Sequence, residues 1–238
     1  MAETPVSSVT SPTEYFNRST HAYVRLLGTA IGLAGAAHGV FEIRQGNRKT
    51  EGHLLTDIGA FTLIPNFRGT GVAAMVTGLM LSGWTLRRMG PRSGPPVFLL
   101  LSTLSFLLGG GVAQAPASLC VWGVATRTGR PLSWWEGTLP VKLRRAMAGA
   151  WLPILVTGFG LVVLGIAVWL LVLPPGKHRR IGPRHYALWS ILACGLLLLV
   201  AAVPCGFARD IERRSATSAS QQPQTPGPTG SWPGQPAS

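Results

Sequence analysis

Two titratable side chains stand four residues apart in an otherwise apolar stretch. They are His38 and Glu42, within GLAGAAHGVFEIRQGN at residues 32–47. Imidazole exchanges protons near neutral pH, and a carboxylate holds a proton or a cation. At i and i+4 on a helix the two share a face. Three chemistries fit: proton or ion handling, a partial metal site, or a hydrogen-bonded pair that finishes a helix near an interface. Metal fits least well, because one His and one Glu fall short of the usual three or four protein ligands. A haem between two histidines fits no better, since no second histidine lies inside an apolar run. The sequence thus calls for no metal and no cofactor. Gln45, Asn47, Asn66 and Gln114 are placed beside His38 and Glu42 by simple alternation of the apolar segments, and the six form a candidate polar pocket.

Positioning these groups falls to helices in a bilayer. Only 12% of the 238 residues are charged, against about 25% in ordinary soluble domains, and 47% are hydrophobic. A spanning helix needs about 20 apolar residues. Five segments approach that length, at about 24–43, 69–86, 96–120, 147–173 and 186–207. Their apolar runs are continuous rather than alternating, which selects helices over a barrel. The expected fold is all-α: an integral membrane bundle of about five transmembrane helices over 23–210. A disordered N-terminal arm at 1–22 and a disordered tail at 211–238, rich in Pro, Gly, Ser and Gln, flank it.

Glycine spacing bears on packing. Gly28, Gly32, Gly35 and Gly39 follow a 4, 3, 4 pattern in the first segment, and Gly71 and Gly78 begin a similar stripe in the second. Small residues so placed let helix backbones approach closely where lipid supplies no hydrophobic drive. Pro153 and nearby glycines are expected to bend the fourth segment. RRMGPR at 87–92 and RRIGPR at 179–184 read as traces of a duplicated hairpin, or as coincidence in an arginine-rich chain. HLLTDIGAFTLIPNF at 53–67 is too short to span and too apolar for a free loop, so it reads as re-entrant or interfacial.

The net charge of +13 does not point to nucleic acid, because the basic residues sit between apolar runs and no recognition motif accompanies them. They suit anionic lipid headgroups and topology signals. With five alternating spans, 12 Lys and Arg fall on the side of the C-terminus and 9 on the other, a lean toward an internal C-terminus and an external N-terminus. Trp134 and Trp135 beside Lys142, Arg144 and Arg145 read as an interfacial segment. Of the three cysteines, Cys194 reads as a small packing residue, and Cys120 and Cys205 as a conceivable bridge on one side.

HGVFEIRQGN at 38–47 with TLIPNFRGTG at 62–71 resembles a group of uncharacterised prokaryotic multipass membrane proteins whose first helix carries HGxxExxQGN. The matching positions are His38, Gly39, Glu42, Gln45, Gly46 and Asn47, then Ile64, Pro65, Asn66 and Phe67. The resemblance implies a multi-pass protein of a prokaryotic plasma membrane and no particular chemistry. No P-loop, HExxH or GxSxG motif is present. No catalytic residue is assigned and an enzyme is not expected. Two functions remain: a small-solute or proton-linked permease or channel using Glu42 and His38, or a non-catalytic scaffold whose glycine stripes bind a partner membrane protein or a second copy.

Overall fold

The computed structural model describes residues 16–50, 52–55, 60–112, 114–172 and 183–220. Within them lie seven helices: α1 Arg18–Arg44, α2 Phe67–Arg88, α3 Gly94–Leu107, α4 Gln114–Ala125, α5 Ser133–Thr138, α6 Val141–Val172 and α7 Pro183–Ser220. A small antiparallel ribbon, β1 Leu54–Leu55 with β2 Ala60–Phe61, joins α1 to α2. Four helices, α1, α2, α6 and α7, are long and apolar enough to cross a membrane.

The stretch at 96–120, expected to cross as a single helix, is instead two helices turned back on each other. α3 has 14 residues and α4 has 12, or about 21 and 18 Å at 1.5 Å per residue. Their directions follow from what they touch. Along α3, Phe98 reaches Gly28, Ser105 reaches Gly35, and Gly109 reaches Glu42, so α3 runs parallel to α1. Gln114, opening α4, lies against Gly35. Past the other end of α4, the Arg127 and Arg130 carbonyls accept hydrogen bonds from Asn17 Nδ2 at 2.6 and 2.9 Å. α4 therefore returns to the end of the bundle where α1 starts. The pair is a hairpin that begins and finishes at one end, with its tip at Gly109–Gly111. Continuous apolarity had hidden the break, because both arms are greasy and the glycines resembled a packing run.

The hairpin changes the sidedness of everything after it. Trp151 of α6 contacts Gly206 of α7, Gly158 contacts Gly195, and Gly165 contacts Leu192, so these helices are antiparallel. Arg144 pairs with Glu212 at 2.6 Å, at the end where α1 starts. Arg144 is thus far from Glu42, contrary to strict alternation over five spans. Both described chain ends lie at one end of the bundle.

A carboxylate fixes them there. Asp210 of α7, only 3% exposed, accepts from the Ser19 amide (2.7 Å), the Thr20 amide (2.9 Å) and Thr20 Oγ1 (2.7 Å). The first amides of a helix lack intrahelical acceptors and carry its positive dipole end. Asn17, the N-cap residue, makes no side-chain cap bond; its amide group is turned to the end of α4. Asp210 supplies the cap from another helix. This ordering also moves the expected boundaries. α1 starts inside the arm assigned to 1–22, with Asn17, Ser19 and Thr20 buried. α7 continues to Ser220, past the expected start of the tail at 211.

Phe98, Leu81, Val24, Val121 and Ile211 anchor the core, each at most 1% exposed. α6 is continuous through Pro153. Cys120 and Cys194 are exposed and Cys205 is buried, and all three are free thiols, so neither the bridge nor the packing role for Cys194 is realised. Asp57, most of the RRIGPR copy and the tail beyond 220 lie outside the described residues.

Replacing Asp210 with Ala strands three buried donors and is expected to destabilise the fold by about 2–3 kcal/mol. Thermal unfolding of the detergent-purified chain checks this; an unchanged midpoint for D210A would show that the cap contributes nothing.

Candidate functional site

The glycines of α1 meet two neighbours. Gly32 and Gly39 face α2: a methyl carbon added at Gly32 would lie 2.6 Å from the Gly78 carbonyl oxygen, and one at Gly39 would lie 2.7 Å from the Met75 amide nitrogen. Reciprocally, a methyl at Gly71 would lie 2.5 Å from the Gly39 oxygen, and one at Gly78 would lie 2.5 Å from the Gly32 oxygen. Backbone meets backbone, which only glycine allows. Gly35 faces the hairpin, beside Ser105 and Gln114, while Gly28 sits between α2 and α3, a methyl there lying 2.7 Å from Thr85 Cγ2 and 3.0 Å from Phe98 Cε2. The one stripe therefore serves two neighbours, α2 at Gly28, Gly32 and Gly39 and the hairpin at Gly28 and Gly35, and Glu42 follows Gly28 and Gly35 at the same seven-residue step.

Glu42 is 0% exposed. Neither carboxyl oxygen has a hydrogen-bond partner among the described residues, so the hydrogen bond considered with His38 is not made. Its neighbour is the hairpin tip. A methyl at Gly109 would lie 2.6 and 2.8 Å from the two carboxyl oxygens and 3.0 Å from the carboxyl carbon.

The tip is a finished structure. Gly109 has φ +103°, the left-handed region that favours glycine after a helix. The Gly110 amide donates to the Ser105 carbonyl (2.7 Å) and the Gly109 amide to the Phe106 carbonyl (3.5 Å), the pattern of a Schellman close. The next two carbonyls are taken from outside: Leu107 by the Leu63 amide (3.0 Å), Leu108 by Thr70 Oγ1 (3.4 Å). Thr62 pairs with Leu108 in an isolated bridge and hydrogen-bonds Thr70 side chain to side chain. Phe61 stacks on Phe106 at 5.4 Å. The segment after β2 and the first turn of α2 thus clasp the tip against Glu42.

The candidate pocket residues divide. His38 is half-buried, its Nδ1 3.7 Å from where a Gly111 methyl would be, and Gln114 Nε2 lies 3.4 Å from the same point. These two join Glu42 around the tip. Gln45, Asn47 and Asn66 instead close helix ends. Gln45 accepts from Arg48 through its backbone and side-chain oxygens. Asn66 caps α2 through the Gly69 amide at 3.0 Å and donates to Asn47 Oδ1 at 2.7 Å. The IPNF motif is therefore an N-cap. Sequence reasoning missed Gly109, Ser105 and Asp210. The GGG run at 109–111 was the available signal for the tip. Ser105, 2% exposed, has an Oγ without a hydrogen-bond partner among the described residues.

Such a site suits a proton better than a metal. An ionised carboxylate shut away without donors costs many kcal/mol unless neutralised. Among the described residues no three His, Cys, Asp or Glu side chains gather as a metal site would require. No family model, curated protein or solved structure matches the chain.

Gly109→Ala adds a methyl into the carboxyl group and strains the tip, for an expected loss of about 1–3 kcal/mol. In a Glu42→Ala background the penalty should shrink, because one of its two causes is gone. Equal penalties in both backgrounds, measured by thermal unfolding, would show that carboxyl and tip are not in contact.

Proposed function

We propose that the chain is a multi-pass protein of a prokaryotic plasma membrane that carries protons, alone or with a small solute, and that Glu42 is the group that binds and releases them. One observation carries this reading: a fully buried carboxyl without hydrogen-bond partners, set against the tip of a broken helix. Ionisable residues inside membrane-length helices mark pathways and relays. Broken helices at that depth are tolerated only within protein or along a cavity, and they commonly border transport sites. His38, half-buried one turn deeper along α1 and beside the same tip, is the nearest titratable group to exchange a proton with Glu42.

The membrane reading rests on four span-length apolar helices with leucine, valine and methionine side chains exposed along them, among them Leu79, Met80, Val156 and Leu197. The end of the bundle that holds both described chain ends carries 13 of the 21 Lys and Arg. By the positive-inside rule that end faces the cytoplasm. This places the N-terminal end of α1 inside, opposite to the lean from five alternating spans. The scaffold alternative relied on glycine stripes free for a partner. Among the described residues the glycines of α1 and α2 face each other and the hairpin, an arrangement that supports the transport reading more than the scaffold one.

Reconstituted vesicles test the transport reading. Wild type should dissipate an imposed pH gradient, and Glu42→Gln should slow this by about tenfold or more, removing the relay at small cost to packing. His38→Ala should slow it less. Gradient decay equal to that of empty vesicles for wild type would refute the proposal.

Topology has its own test. In a variant without native cysteines, single cysteines at Gly90, Gly137 and Ser220 should label from one side and one at Asn47 from the other. Labelling of Gly90 and Gly137 from opposite sides would mean that α3 and α4 cross as a single span.

A further inference from the structure

On the outer surface, away from Glu42, a groove of about 430 Å³ opens between α1, the end of α2 and α6. Its walls are apolar apart from Arg25 and Thr29, and include Leu33, Leu86 and Phe159. Arg25, Thr29 and Leu33 follow at four-residue steps along α1, and therefore share a face at increasing depth. His21, one turn before Arg25, meets the Met89 carbonyl at the end of α2 at 2.8 Å. Arg25 thus lies about 6 Å inside the level where α2 stops, and Leu33 about 12 Å deeper still. No carboxylate among the described residues pairs with Arg25.

An exposed cation at headgroup depth, then leucine and phenylalanine below it: this order matches the polarity of a phospholipid from phosphate to acyl chain. Arg87 and Arg88 on α2 add positive charge at this end and favour an anionic headgroup, while the carboxylates of Asp210 and Glu212 there are engaged elsewhere, Asp210 by the first amides of α1 and Glu212 by Arg144. We propose that the groove holds one anionic phospholipid, with its phosphate on Arg25 and an acyl chain along Leu33 and Phe159. The inference rests on the membrane reading above but not on proton transport.

Native mass spectrometry of the detergent-purified full chain, titrated with phosphatidylglycerol or phosphatidylcholine, tests it. Wild type should retain one phosphatidylglycerol roughly fivefold better than phosphatidylcholine, about what one basic contact contributes. Arg25→Gln should erase that preference, and Leu33→Trp should lower retention of both lipids by filling the groove. Arg145→Gln, an exposed basic residue at the same end, should change neither. Inorganic phosphate should not displace the lipid, since it has no chain to seat. Undiminished preference in R25Q, or displacement by phosphate, would overturn the site. Release of the chain from membranes by an alkaline wash would instead overturn the membrane reading beneath it, and the two failures are seen in different measurements.

Discussion

The close approach of α1 to its neighbours governs the rest of this structure. On the membrane reading proposed above, a helix gains little from burying leucine, since acyl chains are equally apolar. Association then depends on how near backbones come and on polar groups that cannot face lipid. α1 meets α2 carbonyl to glycine at Gly39–Gly71 and Gly32–Gly78. It meets the hairpin at Gly28 and Gly35, where Phe98 and Ser105 fill the space a side chain would take. Were either face bulkier, α3 would stand off and its tip would not reach Glu42. Packing and candidate chemistry therefore share one cause: the absent side chains that permit contact also bring a carboxyl against Gly109.

Burial of polar groups follows the same logic. The four carbonyls of residues 105–108 at the end of α3 would be orphaned in a hydrocarbon setting. Each is taken up, two by the glycine turn and two by Leu63 and Thr70. At the opposite end Asp210 satisfies the first amides of α1, and Asn17 takes carbonyls past α4. Against this near-complete pairing, the bare oxygens of Glu42 stand out. Among the described residues, Asn17 Oδ1 and Ser105 Oγ also lack partners, but Glu42 is the carboxyl group with both oxygens buried and without donors.

Much of this was legible in the sequence, for physical reasons. Span-length helices follow from apolar runs, and four of the five expected regions hold them. The importance of the glycines was visible in their spacing. Which neighbour each meets was not, because the four share one side of the helix and only the fold shows α2 and the hairpin dividing it, with Gly28 touching both. The hairpin was obscured because hydropathy measures apolarity rather than continuity: LLLSTLSFLLGGGVAQ reads as greasy throughout, although Gly109 and Gly111 both take positive φ. That one misreading then put Arg144 at the wrong end in the assumed topology, while Gln114, at the hairpin tip, stayed beside Glu42. Asp210 was invisible for a different reason. A lone acid just past an apolar run looks like a solvated helix end, and only the fold brings Ser19 and Thr20 to it across 190 residues of chain.

The two ends of the bundle differ in how they are held, and this bears on how a proton could reach Glu42. The end at Asp210 is fixed by charge-assisted bonds between α1 and α7, by Asn17 on the α4 terminus, and by the Arg144–Glu212 pair. Movement there would break several strong contacts together. Around Glu42 the closure is lighter: a two-residue ribbon, a pair of threonines, one stacked ring pair and three glycines in succession. Exchange of a proton on a carboxyl sealed from solvent requires something to open, and the least costly displacement is of the 60–64 segment away from the tip. Parting Thr62 from Leu108 and Thr70 would uncover Glu42 from that end alone, while the contacts of Gly28 and Gly35 with the hairpin arms keep the other closed. Access from one side at a time, which coupled transport demands, would then follow from the unequal strength of the two closures.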